Sequence, residues 1–196
     1  CVRPGISSDG PRNWRAVHLS SGFVDFLNQL AHARAIDLEE RGFMKRYLAA
    51  LAAEAGAQPK AGLAVAPRSP AWSFDIKNHQ LSHFNQMAGA MLAISMAEHY
   101  LGYYDKYAAR LIDGQNQAVP INSLLTETEW RKAVLAGAHN ALSCGFGIEG
   151  LKVLLDAIAA MPNRPSWTLY FAPANVPVAK VRRDLEKLEK KFFMLE

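Results

Sequence analysis

Apolar residues recur at helical spacing over most of the chain, and this pattern predicts the elements of the fold. Between residues 21 and 55 two stripes follow each other, with Gly42 as the candidate break between two helices. A third stripe over 74–111 predicts another long helix, joined to the first pair by a Pro- and Gly-containing loop at 57–73. The three stripes are Phe23, Phe26, Leu27 and Leu30; Phe43, Met44, Tyr47, Leu48 and Leu51; and Phe84, Met87, Met91, Ile94 and Leu101.

The second half of the chain also contains sequence signals that mark where helices begin. Thr126-Glu-Thr-Glu129 is a capping box, which predicts a helix that starts there and reaches Ala160. Ser166–Phe171 has the composition of a strand but has no neighbouring strand pattern. A last helix opens at Pro177, and its apolar residues repeat at alternating steps of three and four. They are Val178, Val181, Leu185, Leu188 and Phe192.

Together these elements predict an all-α fold, an irregular bundle of four to five helices. Residues 21–196 form one helical domain, and residues 1–20, with several Pro, Gly and Ser, form a flexible arm or tether. The heptad-like stripe of the last helix must be buried, either within the domain or against a partner. Ala88–Ser95 and Ala136–Ser143 are similar, which indicates close helix packing or a duplicated hairpin.

Composition excludes several classes of protein. Half of the 196 residues are apolar and a fifth are charged, which rules out a disordered or collagen-like chain. The net charge is +4, and the basic residues of 180–191 alternate with acidic ones, as on a solvated helix face. We therefore expect no nucleic-acid partner. The most apolar window, 86–104, contains Glu98 and is expected to be a bundle helix.

The chain has two cysteines, Cys1 and Cys144. Cys144 lies in an Ala- and Gly-rich stretch and is expected to be a small core residue. An initial Cys is typical of a mature bacterial lipoprotein, in which it carries the lipid. A fragment boundary and an N-terminal nucleophile are the alternatives. Lipidation of Cys1 would make residues 2–20 the tether and would place the protein at the cell envelope, anchored to a membrane.

Three groups of residues are candidates for chemistry. His79 and His83, spaced i, i+4, could share a metal if His32, His139 or an acid supplied a third ligand. We expect no such ligand. Glu98 falls on an apolar stripe and is expected to be buried and held by a Tyr or Arg, because a buried carboxylate needs a partner. With His99 and Tyr103 it is also a candidate cofactor or substrate site inside the bundle.

Gly145-Phe-Gly-Ile-Glu-Gly150 matches the glycine pattern of a dinucleotide-binding turn. Against this interpretation, the preceding segment is predicted to be a helix, and no acid follows the next predicted strand. Glycines that allow close helix packing or a kink are the alternative.

No motif fixes a reaction, and the sequence favours a non-catalytic protein over an enzyme. The first hypothesis is a helical docking or scaffold subunit that binds other protein subunits in an envelope assembly, anchored through Cys1. The alternative is a helical enzyme or binding protein with a metal, haem or small-molecule site near Glu98 and the histidines. The third hypothesis is nucleotide binding at Gly145–Gly150.

Overall fold

The computed structural model describes residues 2–7, 14–53, 72–112, 119–175 and 178–194. Within these ranges the chain forms seven α-helices and one pair of strands, which confirms the predicted all-α irregular bundle. The strands are β1 (Val2–Ser7) and β2 (Trp14–Leu19). The helices are α1 (Ser21–Glu39), α2 (Phe43–Ala53), α3 (Phe74–Tyr100), α4 (Tyr103–Tyr107), α5 (Glu127–Ser143), α6 (Glu149–Ala160) and α7 (Val178–Met194).

Helix α3 lies at the centre of the bundle. It packs against α1, α5 and α6, and the β1–β2 pair contacts it as well. Met87, Met91 and Ile94 are buried on its inner side, where they meet core residues of the other helices. The core of the domain is therefore assembled around one 27-residue helix.

Polar residues cap the starts of three of the helices. The Ser20 and Ser73 hydroxyls accept hydrogen bonds from the amides of the third residues of α1 and α3. Thr126 and Glu129 form the predicted capping box, in which each side chain accepts a hydrogen bond from the other residue's backbone amide. The starts of α1, α3 and α5 thus follow from local chemistry.

Two helices that the sequence predicts as continuous are broken by left-handed glycines. Gly102 has a φ of 76° and separates α3 from α4, and Gly145 has a φ of 80° and ends α5. A left-handed residue stops a right-handed helix, and glycine adopts this conformation without steric cost. The single helices predicted over 74–111 and 126–160 are therefore wrong, whereas the break at Gly42 is confirmed by its φ of 90°.

Two parts of the N-terminal arm, residues 2–7 and 14–19, form strands, which the sequence did not predict. β1 and β2 pair in antiparallel register, with Val2 opposite Leu19. Two hydrogen bonds of 2.8 Å tie β2 to the end of α3: Arg15 Nη1 donates to the His99 carbonyl, and His99 Nε2 donates to the Ala16 carbonyl. Cys1 lies outside the described residues, so its lipidation stays a prediction.

Two further local predictions are wrong. Ser166–Tyr170 forms a 3₁₀ helix instead of a strand, and the Thr168 hydroxyl donates to the Pro165 carbonyl at its start. Its strand-like composition finds no partner strand, so the local turn prevails. Cys144 is exposed rather than in the core, because it follows the last buried turn of α5.

Helix α7 packs on α5 and α6 through the predicted stripe. Val178, Val181 and Leu185 are buried, and Leu188 and Phe192 lie partly buried against the core. Ion pairs flank the stripe: Arg131 with Asp184 at 2.6 Å, Lys152 with Glu189 at 3.0 Å, and Arg182 with Asp156. Packing within the chain, rather than against a partner, accounts for this stripe.

Helices α3 and α5 approach most closely at Gly137. A Cβ atom added there would lie 2.6 Å from the Ile94 backbone, closer than real Cβ contacts allow. We expect Gly137→Ala to lower the free energy of unfolding by about 1–3 kcal/mol because the helices must separate. Gly22→Ala in α1 is the matched control: its Cβ would meet nothing within 4 Å, so the better helix propensity of Ala should raise stability slightly. Urea denaturation of both variants checks this, and an unchanged Gly137→Ala would contradict the close packing.

Candidate functional site

The solvent side of α3 is unusually apolar for an exposed helix face. We call it the outer face of α3. Moving along the helix in steps of three and four, with one step of seven after Asn85, it presents mostly large apolar side chains. It consists of Phe74, Asn78, Leu81, Asn85, Leu92, Met96 and Tyr100. Four of these are well exposed: Phe74 at 77%, Leu81 at 57%, Met96 at 58% and Tyr100 at 55%.

The outer face of α3 also lacks charged side chains over most of its length. Between Asn78 and Ala97 α3 contains no Asp, Glu, Lys or Arg, although 14 of these 20 residues are exposed or only partly buried. A solvated helix normally carries charged residues on its outer side. At 1.5 Å per residue, α3 extends for about 40 Å, so the outer face runs along much of the domain.

Glu98 is buried, as predicted, but the predicted Tyr or Arg partner is not found among the residues that the structure describes. Its side chain is 2% exposed, and none of the hydrogen bonds or ion pairs among the described residues involves its carboxylate. Burial raises the pKa of Glu98 from its usual 4.5 to about 8. The carboxyl group is therefore neutral at pH 7, which is how a buried acid avoids the cost of an unpaired charge.

His99 and Tyr103, the two residues grouped with Glu98 as a candidate site, are buried and make contacts that stabilise the fold. His99 is buried under β2 through its bond to Ala16, and its ring lies 4.9 Å from that of Tyr104. Tyr103 is buried at the start of α4. The structure thus places Glu98 and His99 at the end of α3 and Tyr103 at the start of α4, and His99 fastens β2 to the bundle.

A polar cluster beside this region holds α4 against α5. Tyr107 and Lys106 both donate hydrogen bonds to Glu129, at 2.9 and 2.6 Å. Partial burial raises the pKa of Glu129, but the bonds from Lys106, Thr126 and Tyr107 outweigh it and lower the pKa to about 2. Glu129 therefore serves the capping box and the α4–α5 contact together, and the cluster is structural.

The histidine pair lies near the start of α3, facing α1 and α6. His79 is exposed, whereas His83 is half-buried and its Nδ1 atom is shielded from solvent without a hydrogen bond. Burial lowers the pKa of His83, and Arg34 adds to this effect while Glu149 opposes it. The described residues contain no group of three His, Cys, Asp or Glu side chains that could hold a metal ion.

The two other histidines considered as third ligands are engaged elsewhere. His32 is buried with its ring 4.5 Å from that of Trp72, and the His139 ring lies 5.9 Å from that of Phe192. The i, i+4 spacing on α3 is therefore real, but the fold supplies no third ligand from the residues that the structure describes.

The glycines of the motif at 145–150 serve the contact between α6 and α3. A Cβ at Gly150 would lie 2.7 Å from the carbonyl oxygen of His83, so glycine permits the close approach. The Gly150 amide, at the start of α6, donates to Gln86 Oε1 at 2.8 Å. The motif follows helix α5 instead of a strand, and a 3₁₀ helix replaces the next strand, so the βαβ order of a dinucleotide-binding unit is not present in residues 127–175.

None of the described helices is long and apolar enough to cross a membrane. Comparison of the chain with protein-family models, with curated proteins and with solved structures finds no match. The outer face of α3 was not predicted from the sequence, although its signal, a run of 20 residues without Asp, Glu, Lys or Arg at 78–97, was present there.

Proposed function

We propose that this protein is a helical docking module that binds another protein subunit through the outer face of α3. The observation that supports this function is the exposure of Phe74, Leu81, Met96 and Tyr100 along one uncharged helix face. Large apolar side chains that are exposed together along one helix face are typical of interaction sites, because leaving them in water gains nothing for the isolated domain.

The chemistry of the face limits the kind of partner. Because no charged residue lies between Asn78 and Ala97, long-range electrostatic attraction contributes little to binding here. Recognition depends on shape and on apolar burial, and a partner helix with its own apolar stripe satisfies both. The aromatic and thioether side chains at the two ends of the face are residue types that are enriched at interface centres.

A site-specific photo-cross-linker tests this proposal. With p-benzoylphenylalanine at position 81 or 96, we expect one discrete cross-linked protein in cells that produce the full chain. Leu38, an exposed apolar residue of α1 on another side of the domain, is the matched control position and should give no such product.

A second measurement tests whether the cross-linked product forms at the outer face of α3. Met96→Lys should abolish the cross-link from position 81 and leave the circular dichroism spectrum unchanged, because Met96 is mostly exposed. Equal cross-linking from positions 81 and 38 would contradict the proposal. A product made of two copies of this chain would assign the face to self-association and would contradict a different subunit as partner.

A further inference from the structure

A second surface feature lies on another side of the domain from the outer face of α3. Residues of α1, α2, α6 and α7 line a groove of about 600 Å³. Its apolar part is formed by Leu48 of α2 with Val153 and Ala157 of α6, all three of which are buried. This volume lies in the range of sites that bind small molecules, and such sites are mostly apolar with a few polar groups.

The acidic residues of the groove are already engaged. Asp37 accepts hydrogen bonds of 2.9 Å from two backbone amides at the start of α2. Glu149 pairs with Lys152 at 2.8 Å, and Asp156 pairs with Arg182. Each of these carboxylates therefore already has partners within the chain, and the cationic partner of Asp37 is Arg34, at 3.5 Å.

Two basic residues of the groove are not engaged in the same way. Arg34 forms a long ion pair of 3.5 Å with Asp37 through Nη1, whereas its Nε atom is shielded from solvent and has no hydrogen-bond partner among the described residues. Lys45, on α2, forms no ion pair among the described residues. Among the described residues, the groove thus offers the ammonium group of Lys45 and the unbonded Nε donor of Arg34 beside an apolar floor.

We propose that this groove binds an amphipathic monoanion, a carboxylate with a short alkyl chain. The carboxylate would pair with Arg34 and Lys45, and the alkyl chain would lie on Leu48 and Val153. A guanidinium offers parallel N–H donors that match the two oxygens of a carboxylate, so the unused donors of Arg34 favour this head group. This proposal is independent of docking at α3.

Calorimetric titration of the full chain with decanoate tests the proposal directly. Decanol, which has the chain without the charge, and acetate, which has the charge without the chain, are the two ligand controls. We expect decanoate to bind, and both controls to bind at least about tenfold more weakly, since a charged hydrogen bond and buried methylenes each contribute at this level.

Variants of the groove locate the binding. Arg34→Gln and Lys45→Gln should each weaken decanoate binding by about tenfold, because each removes one charged hydrogen bond. Ala49→Trp should block the groove, since Ala49 lines it and is exposed. Ala53→Trp is the matched control, as Ala53 is exposed on the same helix but is not part of the lining, and it should bind decanoate normally.

The outcomes that overturn the proposal are distinct. They are the failure of decanoate to bind, decanol binding as tightly as decanoate, or Ala49→Trp binding as tightly as Ala53→Trp. Inorganic phosphate binding more tightly than decanoate would overturn the role of the alkyl chain. Circular dichroism monitors folding, and if Arg34→Gln does not fold, Lys45→Gln and Ala49→Trp decide.

Discussion

Replacing Glu98 by Gln is expected to remove most of the decrease in stability that the wild-type protein shows between pH 5 and 8. In the folded protein burial raises the pKa of Glu98 to about 8, whereas in the unfolded chain the group keeps its usual value of 4.5. Between these values the folded state holds a proton that the unfolded state has lost.

The sign of the effect follows from this difference. Because the folded state binds the extra proton, the free energy of unfolding falls as pH rises, by about 1.4 kcal/mol per pH unit in this window. The favourable contribution is fully present below pH 4.5 and is lost as pH rises through about 8. By pH 7 the loss is about 3 kcal/mol in the wild type, and Glu98→Gln, which cannot ionise, does not share it.

Urea denaturation at pH 5, 6, 7 and 8 measures the effect as a difference between two slopes. Any constant cost of burying the Gln amide cancels in this comparison. Glu39→Gln is the control, because Glu39 is an exposed carboxylate at the end of α1 and should leave the slope as in the wild type. Parallel stability curves for the wild type and Glu98→Gln would show that Glu98 is ionised in the folded protein.

Leu185→Asp is expected to unfold the domain or to lower its free energy of unfolding by more than about 4 kcal/mol. Leu185 is fully buried where α7 meets α5 and α6, so the new carboxylate would have neither water nor a cation. A loss of this size is comparable to the whole stability of a small domain, which is about 5–15 kcal/mol. Thermal unfolding followed by circular dichroism measures it.

Phe193→Asp provides a matched comparison on the same helix. Phe193 is 60% exposed, so the same kind of substitution should change stability by about 0.5 kcal/mol or less. If Leu185→Asp melted like the wild type and lost only the binding of a partner, the stripe would belong to an interface and the packing of α7 would be wrong.

Local signals predicted the positions of the helices well. Capping at Ser20, Ser73 and Thr126 depends on short polar side chains next to free amides, which the sequence displays directly. Small residues at Gly137 likewise predicted a close helix contact, and Ile94 lies against it. Such features are encoded within a few residues and do not depend on the rest of the fold.

The breaks inside the long helices were harder to predict. Gly102 and Gly145 are tolerated inside a helical pattern at a cost of about 1 kcal/mol each, so composition alone does not decide between continuation and a left-handed turn. The choice depends on which conformation lets α4 and α6 bury their apolar residues. Similarly, β1 and β2 were missed because their pairing is stabilised by contacts with α3, which is remote in sequence.

For the candidate sites too, features encoded locally could be predicted, whereas features that depend on remote contacts could not. Burial of Glu98 followed from its place in an apolar stripe, but its lack of a partner depends on side chains that reach it from other helices. The groove at Arg34 combines four helices, and no spacing within one segment indicates it. The residues of the outer face of α3, in contrast, all belong to one segment of the sequence. Predicting this face required only the knowledge of which side of the helix is exposed.

Among the described residues, side-chain hydrogen bonds join β2 to the bundle, and these bonds determine how the β1–β2 pair unfolds. A two-stranded ribbon is marginally stable by itself, so its order depends on the bonds of Arg15 and His99 at the end of α3. These bonds involve only a small part of the interactions that hold the bundle together. We therefore expect β1 and β2 to open as a local unfolding unit, in which the amides of residues 2–7 and 14–19 exchange with solvent while the seven helices stay folded.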